Sequence, residues 1–224
     1  MNATEQPRDI TNVALGFELG LAGVALGIGL VIGHLPYERT DALVDYPVSD
    51  LKALLWGLIA TAPMLLMFYI TYRFPIGPLR KLRRVVEELL VPLFAKASLL
   101  QLALISLAAG VGEELLFRGL LQSALTEQFE GEQRWLWPLV IASVGFGICH
   151  WITTAYAVLA ALIGVYLGLL YLYTGNIVAP ILAHALYDFV ALVFLVKIRS
   201  AGKKKSGLTE SDQAADSFPD QDIP

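Results

Sequence analysis

The amino-acid sequence predicts an all-α membrane protein: a polytopic helical bundle of about six transmembrane helices plus one interfacial amphipathic helix. Three observations carry that reading. Of the 224 residues, 56% are hydrophobic and only 16% charged, with a mean hydropathy of +0.63, which is too apolar for an ordinary soluble domain. The apolar residues gather into six runs, each near the roughly 20 residues that a bilayer core requires. Between the second and third runs lies a basic and apolar mixture suited to a membrane surface. The net charge of −4 comes largely from acids in the tails and loops, so nothing points to nucleic acid. A single cysteine, Cys149, excludes an internal disulfide and any CxxC motif.

The six runs lie near 11–33, 49–72, 98–125, 136–154, 156–174 and 177–197. The first follows "MNATEQPRDI", with one arginine against two acids, and is longer than a signal-peptide core, so it reads as a retained transmembrane helix. Pro75 and Pro78 stop the second run. The stretch "RFPIGPLRKLRRVVEELLVPLFAKA" then forms the surface helix, with Glu87 and Glu88 on its wet face. Very short connections crowd the last three runs together, and one of them is expected to be tilted, broken or re-entrant. Past Lys197, "RSAGKKKSGLTESDQAADSFPDQDIP" is polar and densely charged and reads as a disordered tail. The chain thus divides into a two-helix region with its surface helix at 1–97, a core of about four helices at 98–197, and a cytosolic tail at 198–224.

Basic residues near helix ends stay on the cytoplasmic side. Arg73, Arg80, Lys81, Arg83, Arg84 and Lys96 fall between runs two and three, and Lys197, Arg199 and Lys203 to Lys205 follow run six. With six spans these clusters share a face, which places both termini in the cytosol, in the plasma membrane if the host is bacterial. Topology and attraction to anionic headgroups account for the Arg80 to Arg84 cluster better than a specific partner does.

One stretch does not fit its apolar surroundings: "GVGEELLFRG", residues 110–119. On a helix, Glu114, Arg118 and Gln122 form one polar stripe, and Glu114 pairs with Arg118. Glu113 has no partner in its own helix, so a group from another segment must meet it. His34, at the end of run one, is an interfacial imidazole with no special role. His150 has Phe146 one turn earlier, and His184 has Asp188 one turn later, on the same face. Singly, these are explained by an ion pair, a core imidazole and a helix-pairing acid. Together, buried ionisable groups within a membrane default to a functional site. Cys149 is a weak candidate for any reactive role. Gly110, Gly112, Gly119, Gly145 and Gly147 allow close backbone approach, by default for packing, and a cavity beside Glu113 and His150 is expected.

The motifs "EELLFR", "FGICH" and "HALYD", in this order on successive hydrophobic segments, resemble the CPBP family, which includes type II CAAX prenyl endopeptidases and bacterial proteins of bacteriocin processing and immunity. The resemblance covers about Gly110 to Asp188. It implies an intramembrane endopeptidase acting on a membrane-associated or prenylated protein or peptide. It further implies Glu113 as the catalytic glutamate, His150 as its partner on the water, His184 and Asp188 at the oxyanion, and Glu114 with Arg118 in support.

The chemistry of the residues agrees with that implication. Amide hydrolysis needs a base for water, a donor for the developing oxyanion and a proton for the leaving amine. No order typical of a covalent nucleophile is evident. Glu113, His150 and His184 also make a legitimate three-ligand zinc set, although HExxH is absent; the metal-free alternative is preferred. Two other classes stand beside the peptidase: a non-catalytic immunity or scaffold protein that keeps these residues as ion pairs, and a proton-coupled transporter, which internal repeats would favour and none is seen.

Overall fold

The computed structural model describes residues 6–37 and 47–199, and these are helical without a strand among them. The expected cytosolic tail beyond Arg199, with Lys203 to Lys205, lies outside the described residues. The helices are α1 (Gln6–Ile32), α2 (Asp50–Arg73), a surface helix α3 in three pieces (Pro78–Val85, Val86–Leu90 and Val91–Phe94), α4 (Leu99–Gln128), α5 (Leu136–Cys149), α6 (Thr154–Thr174) and α7 (Val178–Val193, continuing through Phe194–Arg199).

Five of these are long and apolar enough to cross a membrane: Ile10–Ile32, Asp50–Arg73, Leu99–Gln128, Thr154–Thr174 and Val178–Lys197. The fourth expected span is instead short. With 14 residues, α5 extends about 21 Å at 1.5 Å per residue, against a hydrocarbon core of about 30 Å. It stops beside the middle of α4, and α6 starts at Thr154, after four intervening residues, and runs back along it. The sequence shows an apolar run through Thr154 but not that His150 ends the helix, with φ −97 and ψ 19.

Direction is fixed by contacts. Glu18 abuts Gly112 and Pro36 abuts Gly119, so α1 runs parallel to α4. Phe68 and Tyr72 of α2 meet Phe194 of α7, while Gly57 meets Ala179, so α2 and α7 are parallel to each other. Lys197 Nζ reaches the Ala95 carbonyl at 3.4 Å, which brings the end of α7 to the start of α4 and the end of α3. The start of α1, the surface helix and the end of α7 therefore share one end of the bundle. Even parity is kept because the short α5 still reverses the chain.

Lipid supplies no hydrophobic force between helices, so close backbone approach through small residues holds them together. At Gly119 a Cβ would collide with the Pro36 carbonyl. Gly119→Val should therefore lower stability by about 1–3 kcal/mol. The reference is Gly16→Ala, where nothing lies within 4 Å; equal thermal midpoints for the two variants in detergent would contradict this packing account.

Polar ties secure the ends. Asn176, in the turn between α6 and α7, donates to the Val48 carbonyl at 3.1 Å and to Asp50 Oδ1 at 2.8 Å, fixing the start of α2. Tyr72 donates to Glu87 Oε1 at 2.8 Å, as Arg83 Nε does at 3.1 Å. Glu87 is thus a clasp between α2 and α3 and not part of a wet face, whereas Glu88 is exposed. His34 also departs from expectation. It is buried, with Nε2 2.6 Å from Ser123 Oγ and Nδ1 3.0 Å from Glu127 Oε1. The distances are those of a hydrolase triad, but Ser123 sits inside a helix with its hydroxyl on the Gly119 carbonyl. None of the three lines the cavity described below, so the trio ties the end of α1 to α4.

Candidate active site

The site is built around the middle of α4. A capping box starts that helix, with Ser98 and Gln101 exchanging side-chain and backbone bonds. Its middle stretch, Leu115–Gln122, is a π-helix, a rare form found frequently at functional sites. The polar stripe expected from the sequence lies on this stretch and faces inward. Arg118 Nη1 donates to Glu114 Oε1 at 2.9 Å and Nη2 to the Gly164 carbonyl of α6 at 3.1 Å. One turn on, Gln122 Nε2 donates to the Gly168 carbonyl at 3.2 Å. The stripe therefore fastens α6 to α4.

Glu114 is fully buried, and its Oε1 also lies 2.8 Å from His184 Nδ1. A carboxylate paired with arginine accepts, so His184 Nδ1 carries a hydrogen. This leaves His184 Nε2 pointing onward, 3.5 Å from Asp188 Oδ2 and 3.9 Å from Glu113 Oε2. Glu114 thus does more than pair with Arg118: it orients the imidazole of α7.

His150 is held in the same manner from another helix. Its Nδ1 lies 2.8 Å from the Phe146 carbonyl. A carbonyl only accepts, so Nδ1 is again the donor, and in the neutral ring Nε2 is a bare acceptor. That acceptor faces Glu113 Oε2 across 3.6 Å. Phe146 organises the surroundings as well: its ring stacks on His150 at 4.4 Å, meets His184 edge-on at 5.9 Å and lies under the Arg118 guanidinium at 4.5 Å.

Glu113 is 8% exposed, and its Oε2 is buried with no hydrogen-bond partner. It lines a cavity of about 330 Å³ together with His150, His184 and Asp188. The cavity runs up to the surface helix, where Leu79, Leu82, Arg83, Val86, Leu90 and Phe94 line it, and α2 adds Met67 and Phe68. A polar floor lies beneath a largely apolar shaft. The expected residues Glu113, His150, His184 and Asp188 are thus gathered around one space, with Glu114, Arg118 and Phe146 behind them. Cys149, next to His150, is exposed and lies away from that space.

Two groups in the cavity had escaped the sequence reading. Tyr156 of α6 approaches His150 edge-on at 5.7 Å, and Glu18 of α1 lines the wall beside Ala14. Tyr156 belongs to an apolar run in which nothing sets it apart, but Glu18 is an intramembrane acid within the first span, the signal used for Glu113.

The donor chemistry of Glu113, His150 and His184 suits zinc, but the placement does not fit it. Among the described residues, no group of three His, Cys, Asp or Glu side chains is arranged to hold a metal ion.

Residues 95–190, which carry every motif residue of this site, match the family model described as Rce1-like, type II CAAX prenyl endopeptidase. Over this stretch the chain is similar to the Rce1-like family. No curated protein and no solved structure matches the chain. The matched core takes in α4 to α7 nearly whole, whereas α1, α2 and the surface helix lie outside the match.

Proposed function

We propose that the chain is an intramembrane endopeptidase that hydrolyses a peptide bond of a membrane-associated protein, with water activated by Glu113 and His150. The observation that carries this reading is the pair of acceptors, Glu113 Oε2 and His150 Nε2, facing each other across 3.6 Å at the floor of a cavity. Two acceptors at that separation repel unless a proton donor lies between or beside them, and water is the donor that fits. A scaffold accounts for Glu114, Arg118 and His184 as paired charges, but it gives no reason for a carboxylate oxygen left unpartnered in a cavity.

The chemistry follows from the placement. Glu113 takes a proton from the water while His150 Nε2 holds its other hydrogen, and the water oxygen bonds to the carbonyl carbon. The carbonyl oxygen becomes an oxyanion. His184 meets it, because an imidazole between the carboxylates of Glu114 and Asp188 is satisfied when both nitrogens carry hydrogen, and Nε2 then donates into the cavity. As the C–N bond breaks, Glu113 returns its proton to the leaving amine. Asp188 acts through His184: Asp188→Asn should cut turnover by about tenfold and Asp188→Ala further, as expected of a charge-assisted hydrogen bond. Unchanged rates in both variants would remove Asp188 from the mechanism.

The apolar shaft above this floor suits a segment with lipid-like side chains or a prenyl group, the CAAX class named by the matched family, and the shared basic end of the bundle faces the cytosol, in a bacterial host that of the plasma membrane. Chelators should leave activity intact and metal content should be substoichiometric; full reactivation of metal-depleted protein by zinc would defeat the metal-free mechanism. Comparative proteomics of membranes holding wild type or Glu113→Gln tests the activity itself. New protein termini should appear with wild type alone, and identical sets of termini would reject the peptidase.

A further inference from the structure

We infer that Glu18, contributed by α1 from outside the Rce1-like core, is a specificity-determining residue that receives a basic side chain of the substrate next to the scissile bond. This rests on the peptidase reading and names the class of peptide it acts on.

The placement starts from Gly112. A Cβ there would strike the Glu18 carbonyl, so α1 touches the α4 backbone one residue before the proposed base. Ala14 and Glu18, one helical turn apart, present one face of α1 to the same cavity as Glu113 and Asp188. Within it, Glu18 Oε2 and Glu113 Oε2 are both buried without a hydrogen-bond partner. A desolvated acceptor left unpaired is costly. Glu113 has its water to meet. Glu18 Oε2 accepts no hydrogen bond from a described group, although the His184 imidazole and the Asp188 carboxylate act on it electrostatically, and the mechanism above makes no use of it.

An extended peptide brings two kinds of donor, backbone N–H groups and basic side chains. Three carboxylates, Glu18, Glu113 and Asp188, share the cavity floor, and Glu114 behind them is already engaged by Arg118 and His184. These carboxylates outnumber the cationic groups on the same cavity, His184 beside them and Arg83 at the surface-helix end, so the local field selects a cation over a neutral amide. An ammonium or guanidinium that reaches Glu18 stands beside the backbone level of Glu113, which positions the bond to be cut near the activated water. Acidic side chains at the same position meet like charge and are rejected.

The experiment compares membranes from cells making wild type, Glu113→Gln, Glu18→Gln or Glu18→Lys, with each protein quantified, and maps the new termini in all four. Termini that need Glu113 should be enriched in Lys or Arg within a few residues of the cut. In Glu18→Gln these should fall by at least about tenfold, the scale of a lost charge-assisted hydrogen bond, while cuts at neutral sequences persist. Glu18→Lys should move the preference towards Asp and Glu, which a merely structural Glu18 would not do. Termini that need Glu113 but show no basic enrichment, or that fall equally at all sequences in Glu18→Gln, overturn the role of Glu18 and leave the peptidase standing. If no terminus needs Glu113, the peptidase reading fails and this inference fails with it.

Discussion

Glu113→Gln should abolish turnover, by at least about 10³-fold, while leaving folded protein in the membrane at normal amounts. General-base catalysis alone contributes about 10²–10⁴-fold, and an amide cannot accept and return the proton. The amount of protein should hold because no partner depends on this carboxylate. Its Oε2 has no hydrogen bond, and the nearest imidazoles lie at 3.6 and 3.9 Å, with their Nδ1 atoms fastened to Phe146 and Glu114. An amide of the same size strands nothing. Turnover by the purified variant in detergent or liposomes, with abundance measured in parallel, gives the answer. An active Glu113→Gln would end the assignment of the base.

The pairing of Glu114, and not Glu113, with Arg118 was legible in the sequence because helical periodicity is a local property. Four residues separate Glu114 from Arg118, and one residue separates Glu113 from that stripe, so one acid is paired along the helix and the other is not. The same rule places Phe146 behind His150 and Asp188 beside His184. What periodicity does not carry is the identity of contacts between helices. The bond from His184 Nδ1 to Glu114 spans 70 positions, and nothing in either segment alone specifies it. Likewise the burial of His34 depends on Ser123 and Glu127 arriving from α4. An imidazole near a helix end reads as interfacial until that helix is known to be its neighbour.

Composition was similarly informative about the number of apolar runs and less so about their lengths. Counting apolar residues carries the fourth run through Trp151 and Ile152, yet the helix ends at Cys149. Hydropathy does not register the turn that follows, in which Thr153 caps α6 by accepting from the Tyr156 N–H at 3.2 Å. That early stop matters to the site. Ending the helix at Cys149 leaves His150 as its C-terminal cap, at the wall of the cavity. The π-helical geometry of Leu115–Gln122 has no sequence signature either, and it sets how Arg118 and Gln122 reach the backbone of α6.

Glu114→Gln should fail in the opposite way, with a loss of stability of about 3–5 kcal/mol, as when one partner of a buried ion pair is removed. Arg118 is 1% exposed, so its charge has no route to water once Glu114 is neutral. The Gly164 carbonyl and the Phe146 ring still face it, but neither carries a compensating charge. The imidazole of α7 loses its anchor at the same time, because Glu114 Oε1 serves both Arg118 and His184. Low abundance in the membrane and a depressed thermal midpoint in detergent are therefore expected, with turnover per folded molecule reduced less than in Glu113→Gln. Removing both charges separates the two effects. Glu114→Leu combined with Arg118→Met should recover much of the lost stability, since a buried pair is often replaceable by apolar groups of similar volume. It should not recover turnover, because His184 would remain unanchored. A stable, inactive Glu114→Gln beside an active Glu113→Gln would exchange the two roles.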